Sequence, residues 1–285
     1  SDLLNSVYVS AGSNFSNKVM SNIGSMENSG FEAALSWKAI QNDDWFWVLD
    51  YNFTYNKNRI TKLTAGDDSN YFIPVGGISG GTGANVQAHK VGYSAFAFNV
   101  FQQVYYQNGK AIEGAVVDRN ADGQITDADK YLYKSPMAPI TMGLSSRLEY
   151  KSFDFGLSLR ASFGNYVFNN RLSESANVSN PAIWASSNFS TNRPIASVAD
   201  NWQTSQMPAV LSDRWVQNAS FVKVDNITFG YSFRDLFKNA KDRGLSGRVY
   251  ATCSNVLTFT GYDGIDPEVF GGIDNNVYPR PITFI

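Results

Sequence analysis

Residues 139–163, PITMGLSSRLEYKSFDFGLSLRASF, decide the fold, because two alternating runs meet there at a very short turn. Before the turn, Met142, Leu144, Leu148 and Tyr150 share one face, and Thr141, Ser145, Arg147 and Glu149 take the other. After it, Phe153, Phe155, Leu157, Leu159, Ala161 and Phe163 alternate with Ser152, Asp154, Gly156, Ser158, Arg160 and Ser162. A period of two belongs to a β-strand, whose successive side chains point to opposite faces. One face is long and aromatic, and the other carries charges of both signs. A soluble sandwich also alternates apolar-in and polar-out, so the pattern alone leaves the surroundings open. Length narrows them: a tilted membrane-crossing strand needs ~9–11 residues, about double the common globular strand.

The rest of the composition agrees with an all-β chain. Over 285 residues, 23 basic and 25 acidic side chains give a net charge of −2, which offers no electrostatic case for nucleic acid or an anionic surface. The 15 Tyr, 20 Phe, 6 Trp and 23 Gly beside one His favour strands with aromatic belts, though a carbohydrate-binding β-sandwich shares that mixture. Cys253 is alone, so it forms no internal disulfide and reads as a small buried filler. No apolar run is long enough for a transmembrane helix, and a membrane barrel never produces one. The opening SDLLNSVYVS has neither the basic nor the apolar region of a signal peptide, which suggests a mature chain or a fragment.

Residues 5–27, rich in Ser, Asn and Gly, read as a loop. From Asn28 the alternation is regular: Phe31, Ala33, Leu35, Trp37 and Ala39 oppose Glu32, Ser36 and Lys38. After a QNDD turn, Trp45, Trp47, Leu49, Tyr51, Phe53 and Tyr55 alternate with Asp50, Asn52, Thr54 and Asn56, completing a second hairpin. Residues 59–138 are Gly-rich and hold one strand-like run, Tyr93 to Tyr105; another irregular stretch runs from Phe163 to about Asn218. Two more strands occupy about 219–233 and 246–257, and PRPITFI starts a last one. In the first of these the apolar phase shifts between Val224 and Ile227, which predicts a bulge near Asp225 and Asn226.

Outer-membrane barrels have short periplasmic turns and long outer loops. The turns at 40–44, 151–152 and 234–245 are the shorter ones, so they would be periplasmic. The strand at 45–58 then rises and the strand at 139–150 descends. Residues 59–138 must therefore hold an even number of crossings, and zero makes them one extracellular subdomain. The last strand descends, with the C-terminus toward the periplasm. Seven crossings are visible where single-chain bacterial barrels have even numbers, which suggests an incomplete set.

The strongest chemical motif is DRNADGQITDAD at 118–129. Asp118, Asn120 and Asp122 supply oxygens at loop positions 1, 3 and 5, Gly123 the sharp turn, Gln124 a backbone carbonyl, and Asp129 a carboxylate at 12. This is the spacing of a Ca²⁺ loop, with Asp where an EF-hand has Glu. The competing reading is an ordinary acidic turn. GAVV before it reads as extended, so the calcium would be a structural clip and no sensor. Gly77-Ile-Ser79-Gly-Gly81 matches the G-x-S-x-G nucleophile elbow, but no strand precedes it and no helix follows in the pattern, so a flexible loop is the better reading. His89 alone makes no zinc site, no phosphate loop occurs, and no carboxylate pair stands out for glycoside hydrolysis. Tyr71, Phe72, Tyr105, Tyr106, Trp184 and Trp202 lie in the long loops, where they would stack on sugars, pack on a protein partner or anchor the loops themselves.

In combination and in this order, NIGSMENSGFEAALSW at 22–37, FTYNKNRI at 53–60, VDRNADGQITDADK at 117–130, SPMAPITMGLSSRLEYKSFDF at 135–155, FVKVDNITFGYSF at 221–233 and SNVLTFTGYDGIDPEV at 254–269 carry a family likeness. The chain resembles the C-terminal part of SusC-like (SusC/RagA) TonB-dependent outer-membrane transporters of Bacteroidota. The resemblance implies the C-terminal strands of a 22-stranded antiparallel transmembrane barrel with long extracellular loops. It also implies an N-terminal plug, a SusD-like surface lipoprotein as lid, energy from the TonB complex, and import of oligosaccharides or peptides. The plug and TonB box are not among these residues, nor is the aromatic-ended final strand.

The leading expectation is thus an importer without bond chemistry, its apolar face in the lipid bilayer and its polar face toward a lumen. Glu32, Lys38, Asp50, Asn52, Arg147, Glu149, Asp154 and Arg160 are the lumen-facing candidates, for contact with substrate or with the plug. The rival is a secreted, calcium-stabilised β-sandwich that binds carbohydrate; an outer-membrane hydrolase is a weaker third.

Overall fold

The computed structural model describes residues 2–8, 18–63, 71–78, 84–176, 210–236, 245–275 and 279–285. Strands β1 (Asp2–Tyr8), β2 (Lys18–Gln41) and β3 (Trp45–Lys62) come first. Six short strands follow: β4 (Phe72–Gly77), β5 (Asn85–Lys90), β6 (Ala97–Val100), β7 (Gln103–Tyr105), β8 (Ala111–Val116) and β9 (Tyr131–Tyr133). The hairpin at residues 139–163 is β10 (Ile140–Tyr150) and β11 (Phe153–Phe163). Then come β12 (Tyr166–Phe168), helix α1 (Asn170–Ala176), β13 (Val216–Asn218), β14 (Phe221–Leu236), β15 (Leu245–Thr260) and β16 (Thr283–Phe284).

Eight strands form one antiparallel sheet in the order β1-β2-β3-β10-β11-β14-β15-β16. β3 and β10 are direct neighbours, from Trp45 opposite Tyr150 to Tyr55 opposite Ile140. Everything between them therefore leaves the sheet and returns at the same end. The two tight turns lie at the other end, where Lys151 takes a left-handed φ of 52° and its N–H donates to Asp44 O at 2.8 Å, tying one turn to the next.

In an antiparallel sheet, residues directly opposite share a face, so the register reads out the faces row by row. Leu35, Tyr51, Leu144, Leu159, Val224 and Leu257 form one row. Trp45, Tyr150, Phe153, Tyr231 and Val249 form another, nearest the tight turns. In this last row the Trp45 and Tyr150 rings lie 4.2 Å apart and the Phe153 and Tyr231 rings 4.9 Å. Phe31, Tyr55, Ile140 and Phe163 make the matching row at the loop end. Ten residues of β10 separate the two end rows, about 33 Å of strand, which at a tilt near 40° is about 25 Å, the height of a barrel's apolar band. Ser146 is the polar exception on this face, and it accepts the Trp47 indole N–H at 3.0 Å.

This face is uncovered: Phe31, Leu35 and Val249 are 62%, 61% and 66% exposed. A β-sandwich would bury it under a second sheet, so the sandwich alternative does not describe the molecule. Cys253, opposite Ile227 and Phe284, stands half-exposed on the same face and is not buried. The bulge falls at Asp225, which the register skips between Val224 and Asn226 on both neighbours.

Four expectations need correction. Residues 5–27 hold most of β1 and the first half of β2, paired from Asp2 opposite Ser25 to Tyr8 opposite Lys18. The partner strand satisfies the backbone that Ser, Asn and Gly would otherwise satisfy in turns. The run Tyr93 to Tyr105 is broken into β6 and β7, and four further strands of three to six residues surround it, too short to show alternation. The stretch after Phe163 contributes β12, α1 and β13. Its remainder, residues 177–209 with Trp184 and Trp202, lies outside the described residues, as does 237–244 in the turn between β14 and β15. A strand does precede the G-x-S-x-G motif, namely β4. Ser79, Gly80 and Gly81 lie outside the described residues; on either side of them Ile78 N–H donates to Ala84 O, and β4 pairs antiparallel with β5.

The inserted strands share a hydrophobic core with the later loop: Val86, Phe98, Val100 and Phe101 pack with Phe168, Leu211, Trp215 and Val216. Gln103, buried beside it, donates through Nε2 to the carbonyls of Val104, Ile112 and Ala115. Tyr131 Oη donates to Asp213 Oδ2 at 2.7 Å, closing the two segments on each other. Trp215→Ala should therefore loosen the whole loop assembly by roughly 3–5 kcal/mol. Limited proteolysis should then cut within 72–133 while the strands of the main sheet stay protected.

Candidate functional site

The polar face of the sheet gathers the charged residues that the sequence singled out. By register, Glu32, Lys38, Asp50, Asn52, Arg147, Glu149, Asp154 and Arg160 all stand on it. Arg147 and Glu149 pair with each other, Arg147 being largely exposed. Asp154 receives Arg248 in two parallel bonds, Nε at 2.9 Å and Nη2 at 2.6 Å. The pair lies over Gly230, where any Cβ would collide with both side chains. Asn52 likewise lies across Gly143, whose added Cβ would sit 2.8 Å from its Nδ2. Glu32, Lys38 and Asp50 have no ion-pair or hydrogen-bond partner among the described residues.

Arg160 belongs to a larger cluster that sequence reasoning did not assemble. It stands directly opposite Lys223, an arrangement that repels unless acids intervene. The loop after β15 supplies them. Glu268 accepts Arg160 Nη2 at 2.8 Å, Lys223 Nζ at 3.1 Å and Arg280 Nη1 at 3.0 Å. Asp266 accepts Lys223 Nζ and Arg280 Nε, each at 2.7 Å. Asp225, brought to this side by the bulge, accepts Arg160 Nε at 2.6 Å. Three cations thus meet three carboxylates. Burial opposes ionisation of Glu268, but Arg160 and Lys223 outweigh it and hold its carboxyl down to about 2. Beyond them, Tyr262 Oη donates to buried Asp274 at 2.7 Å, and burial followed by that carboxylate pushes the phenol up. Lys223 was legible as a cation out of phase with Val222 and Val224; Asp266, Glu268 and Arg280 gave no signal, because their role depends on how the loop folds back.

In the loop at 118–129 the donor set is all oxygen, as calcium requires, and Gly123 is left-handed (φ 80°) at the position of the sharp turn. Its oxygens are held by the loop's own amides. Asp118 accepts from Ala121 at 2.7 Å and Gly123 at 2.8 Å, Asn120 from Asp122 at 3.0 Å, and Asp122 from Gln124 at 2.8 Å. Asp129 is fully buried and accepts from Thr126 at 2.8 Å, Arg119 at 2.9 Å and Asn120 at 3.3 Å. The Thr126 amide, ahead of the burial that opposes it, lowers its pKa. Asp129 Oδ1 takes two of these amides, whereas its Oδ2 and the bonded oxygens of Asp118, Asn120 and Asp122 each accept one from the backbone and keep a lone pair that fits a cation. Among the described residues no group of three or more His, Cys, Asp or Glu side chains is drawn together into a ready metal cage. His89 packs edge-on against Phe96 at 4.6 Å, and burial lowers its pKa.

No family model matches the chain. It is 49% identical, over its full length, to the TonB-dependent receptor SusC of Bacteroides thetaiotaomicron, of which it spans 28%. It is 31% identical over 90% of its length to the TonB-dependent receptor P3 of Formosa agariphila, spanning 26% of that protein. The solved RagAB peptide importer in its open-open state superposes on 99% of the chain with a TM-score of 0.71 and 26% identity, the chain spanning 30% of that structure's. The open eight-stranded sheet is accordingly part of an antiparallel barrel.

The Glu268 cluster carries a pH dependence of definite sign. A carboxyl held below its ordinary value stabilises the folded loop fully above about 4.5, and that contribution is lost as pH falls toward about 2. Its size is on the order of 2–3 kcal/mol. Hydrogen exchange of residues 261–275, corrected for intrinsic rate, should show constant protection from pH 7 to about 4.5 and a decline below it. Glu268→Gln should start with low protection at pH 7 and show no such decline.

Proposed function

From the premise that this chain is SusC-like TonB-dependent receptor sequence from end to end, we propose that it forms part of the wall of an outer-membrane importer. In this reading the tight turns face the periplasm and the packed loops, with residues 59–138 as their extracellular subdomain, face outward. The receptor takes up oligosaccharides or peptides together with a SusD-like surface lipoprotein, without bond chemistry. TonB drives it through other parts of the receptor, since the chain spans 28% of SusC. The observation that carries the proposal is the two-sided sheet: rows of uncovered aromatic and aliphatic side chains on one face, charged and amide side chains on the other. A lipid-facing surface outside and a hydrated lumen inside account for both.

The polar wall would then serve in two ways. Arg160, Asp154 and their partners hold the wall and the loop after β15 together. Glu32, Lys38 and Asp50, without such partners, are the side chains left for plug or substrate. We further propose that Asp118, Asn120, Asp122, the Gln124 carbonyl and Asp129 hold a structural Ca²⁺ in the outward subdomain, where it would clamp the chain between β8 and β9.

Two outcomes follow for the intact receptor. Leu157→Lys places a charge in the lipid-facing row and should impair assembly by roughly 2–4 kcal/mol, whereas Ser158→Lys, one residue on and on the opposite face, should be tolerated. Heat-dependent gel mobility of outer-membrane fractions reads the difference, and equal tolerance would sink the barrel orientation. For the calcium clip, residues 106–138 should resist protease with calcium and be cut after chelation; equal cleavage in both would refute it.

A further inference from the structure

β3 continues past the apolar end row, and its two faces differ sharply there. Its pairing with β2 runs without a shift from Phe31 opposite Tyr55 to Met26 opposite Ile60. Alternation therefore keeps Lys57 and Arg59 on the uncovered face, with Tyr55, and puts Asn56, Asn58 and Ile60 on the other. That other face is covered by the first insertion: Ile60 is fully buried, packing with Leu63 and Ala95, and Asn58 Oδ1 accepts Ala95 N–H at 2.9 Å. A bulge follows, since the register passes from Ile60 to Lys62 and skips Thr61, whose hydroxyl donates to Ser25 O at 3.1 Å. Strict alternation would set Thr61 on the uncovered face; the bulge sets Lys62 there, opposite Ser25.

Successive outer positions beyond Tyr55 are thus cationic: Lys57, Arg59 and Lys62. All are exposed, and none makes an ion pair or hydrogen bond through its side chain among the described residues. Opposite them on β2 stand Ser29, Glu27 and Ser25, so a single acid faces the row, and Glu27 forms no ion pair with Arg59. At the tight-turn end the cation is already matched, with Lys151 Nζ 3.9 Å from Asp44 and Asp43 next in sequence. The net charge of −2 therefore conceals a local positive excess at one margin of the apolar face. Two residues of strand climb about 7 Å, or about 5 Å in height at a tilt near 40°. Lys57 and Arg59 then stand about 5 and 10 Å above the Tyr55 row, at and just above a headgroup layer of about 5–8 Å, and a lysine stem is long enough to bring the Lys62 ammonium back toward it.

We propose that this cationic ladder binds the phosphate of anionic lipid headgroups; the inference rests on the importer reading above and names a lipid partner for its outward margin. Phosphate oxygens accept from the Arg59 guanidinium in two parallel bonds and from the lysine ammonium groups as point charges. Continuity with the apolar face fixes the source. A molecule that lays its acyl tails on the row of Phe31 and Tyr55 brings its phosphate to Lys57, whereas a free phosphate ion gains nothing from that row. Because the insertion covers the inner face of this stretch, the cations are out of reach of a solute in the lumen.

The test takes the full-length receptor in neutral detergent and measures binding by native mass spectrometry, with phosphatidic acid, phosphatidylcholine and inorganic phosphate as probes. Phosphatidic acid should bind more tightly than phosphatidylcholine, and excess inorganic phosphate should leave it bound. Lys57→Gln, Arg59→Gln and Lys62→Gln combined should weaken phosphatidic acid roughly fivefold or more and leave phosphatidylcholine unchanged, while Lys151→Gln at the other margin should alter neither. Equal binding of the two lipids, phosphatidic acid unaffected by the triple variant or weakened as much by Lys151→Gln, or its displacement by inorganic phosphate would each overturn the headgroup site. Heat-dependent gel mobility is followed in parallel. Normal mobility with no lipid effect removes the headgroup site alone, whereas wild-type receptor without barrel mobility removes the importer reading beneath it. Should the triple variant fail to assemble, Lys57→Gln decides by weakening phosphatidic acid about twofold or not at all, since the exposed Lys57 side chain bonds nothing among the described residues.

Discussion

The pairing of β3 with β10 is the constraint on which the molecule depends. These strands lie far apart in sequence, with Trp47 and Ser146 separated by 99 residues, yet they pair without a break from one end row to the other. A strand bordering lipid has no water to take its amides, so each must find the neighbouring strand. Register is equally strict, because a slip of one residue would carry Trp47, Leu49 and Tyr51 to the polar side and Asp50 and Asn52 to the apolar side. The Trp47–Ser146 hydrogen bond marks the correct register: it satisfies an indole N–H on the apolar face that any slip would strand.

That pairing also explains why the loops are a folded body. With the sheet in order, the ends of β3, β11 and β15 and the starts of β10, β14 and β16 come to one edge. The segments leaving them meet, and their apolar residues have each other to bury against. Phe101 and Ser212 bridge in parallel, as do Phe168 and Ile273. Gln87, from the first insertion, donates to Gly271 O in the third loop at 2.7 Å. The three loops thus meet in one packed body, to which the first insertion gives most of the buried apolar residues.

What the sequence made legible follows from this division. Long strands with one uniform environment on each side wrote a period of two, so β2, β3, β10, β11, β14 and β15 were readable, and the phase shift even located the bulge at Asp225. β1 and the first half of β2 were not, because their Ser- and Asn-rich residues are extended only by virtue of their partner. The short strands of the loops failed for another reason: each side chain there answers to a packed three-dimensional neighbourhood, and Phe98 or Val100 buried in a core has no alternating surface to record. The candidate wall residues were found by phase alone, yet phase says nothing about partners. Arg248 for Asp154, and Glu268 for Arg160, come from elements distant in the chain.

Partnership then divides a list that the sequence presented as uniform. Arg160 and Lys223 face each other across β11 and β14 and are neutralised by Asp225 at the bulge and by a loop that folds down between them, so moving either would release that loop. Asp154 is fixed over Gly230 in a bidentate bond that no larger residue would permit. Such groups are committed to holding the strands and the loop together. On the β2 and β3 side the situation reverses: among the described residues Glu32, Lys38 and Asp50 keep their full bonding capacity. Recognition needs groups whose bonds are still to be made. The unpartnered charges Glu32, Lys38 and Asp50 thus lie on β2 and β3, while β11, β14, β15 and the loop after β15 carry the paired ones.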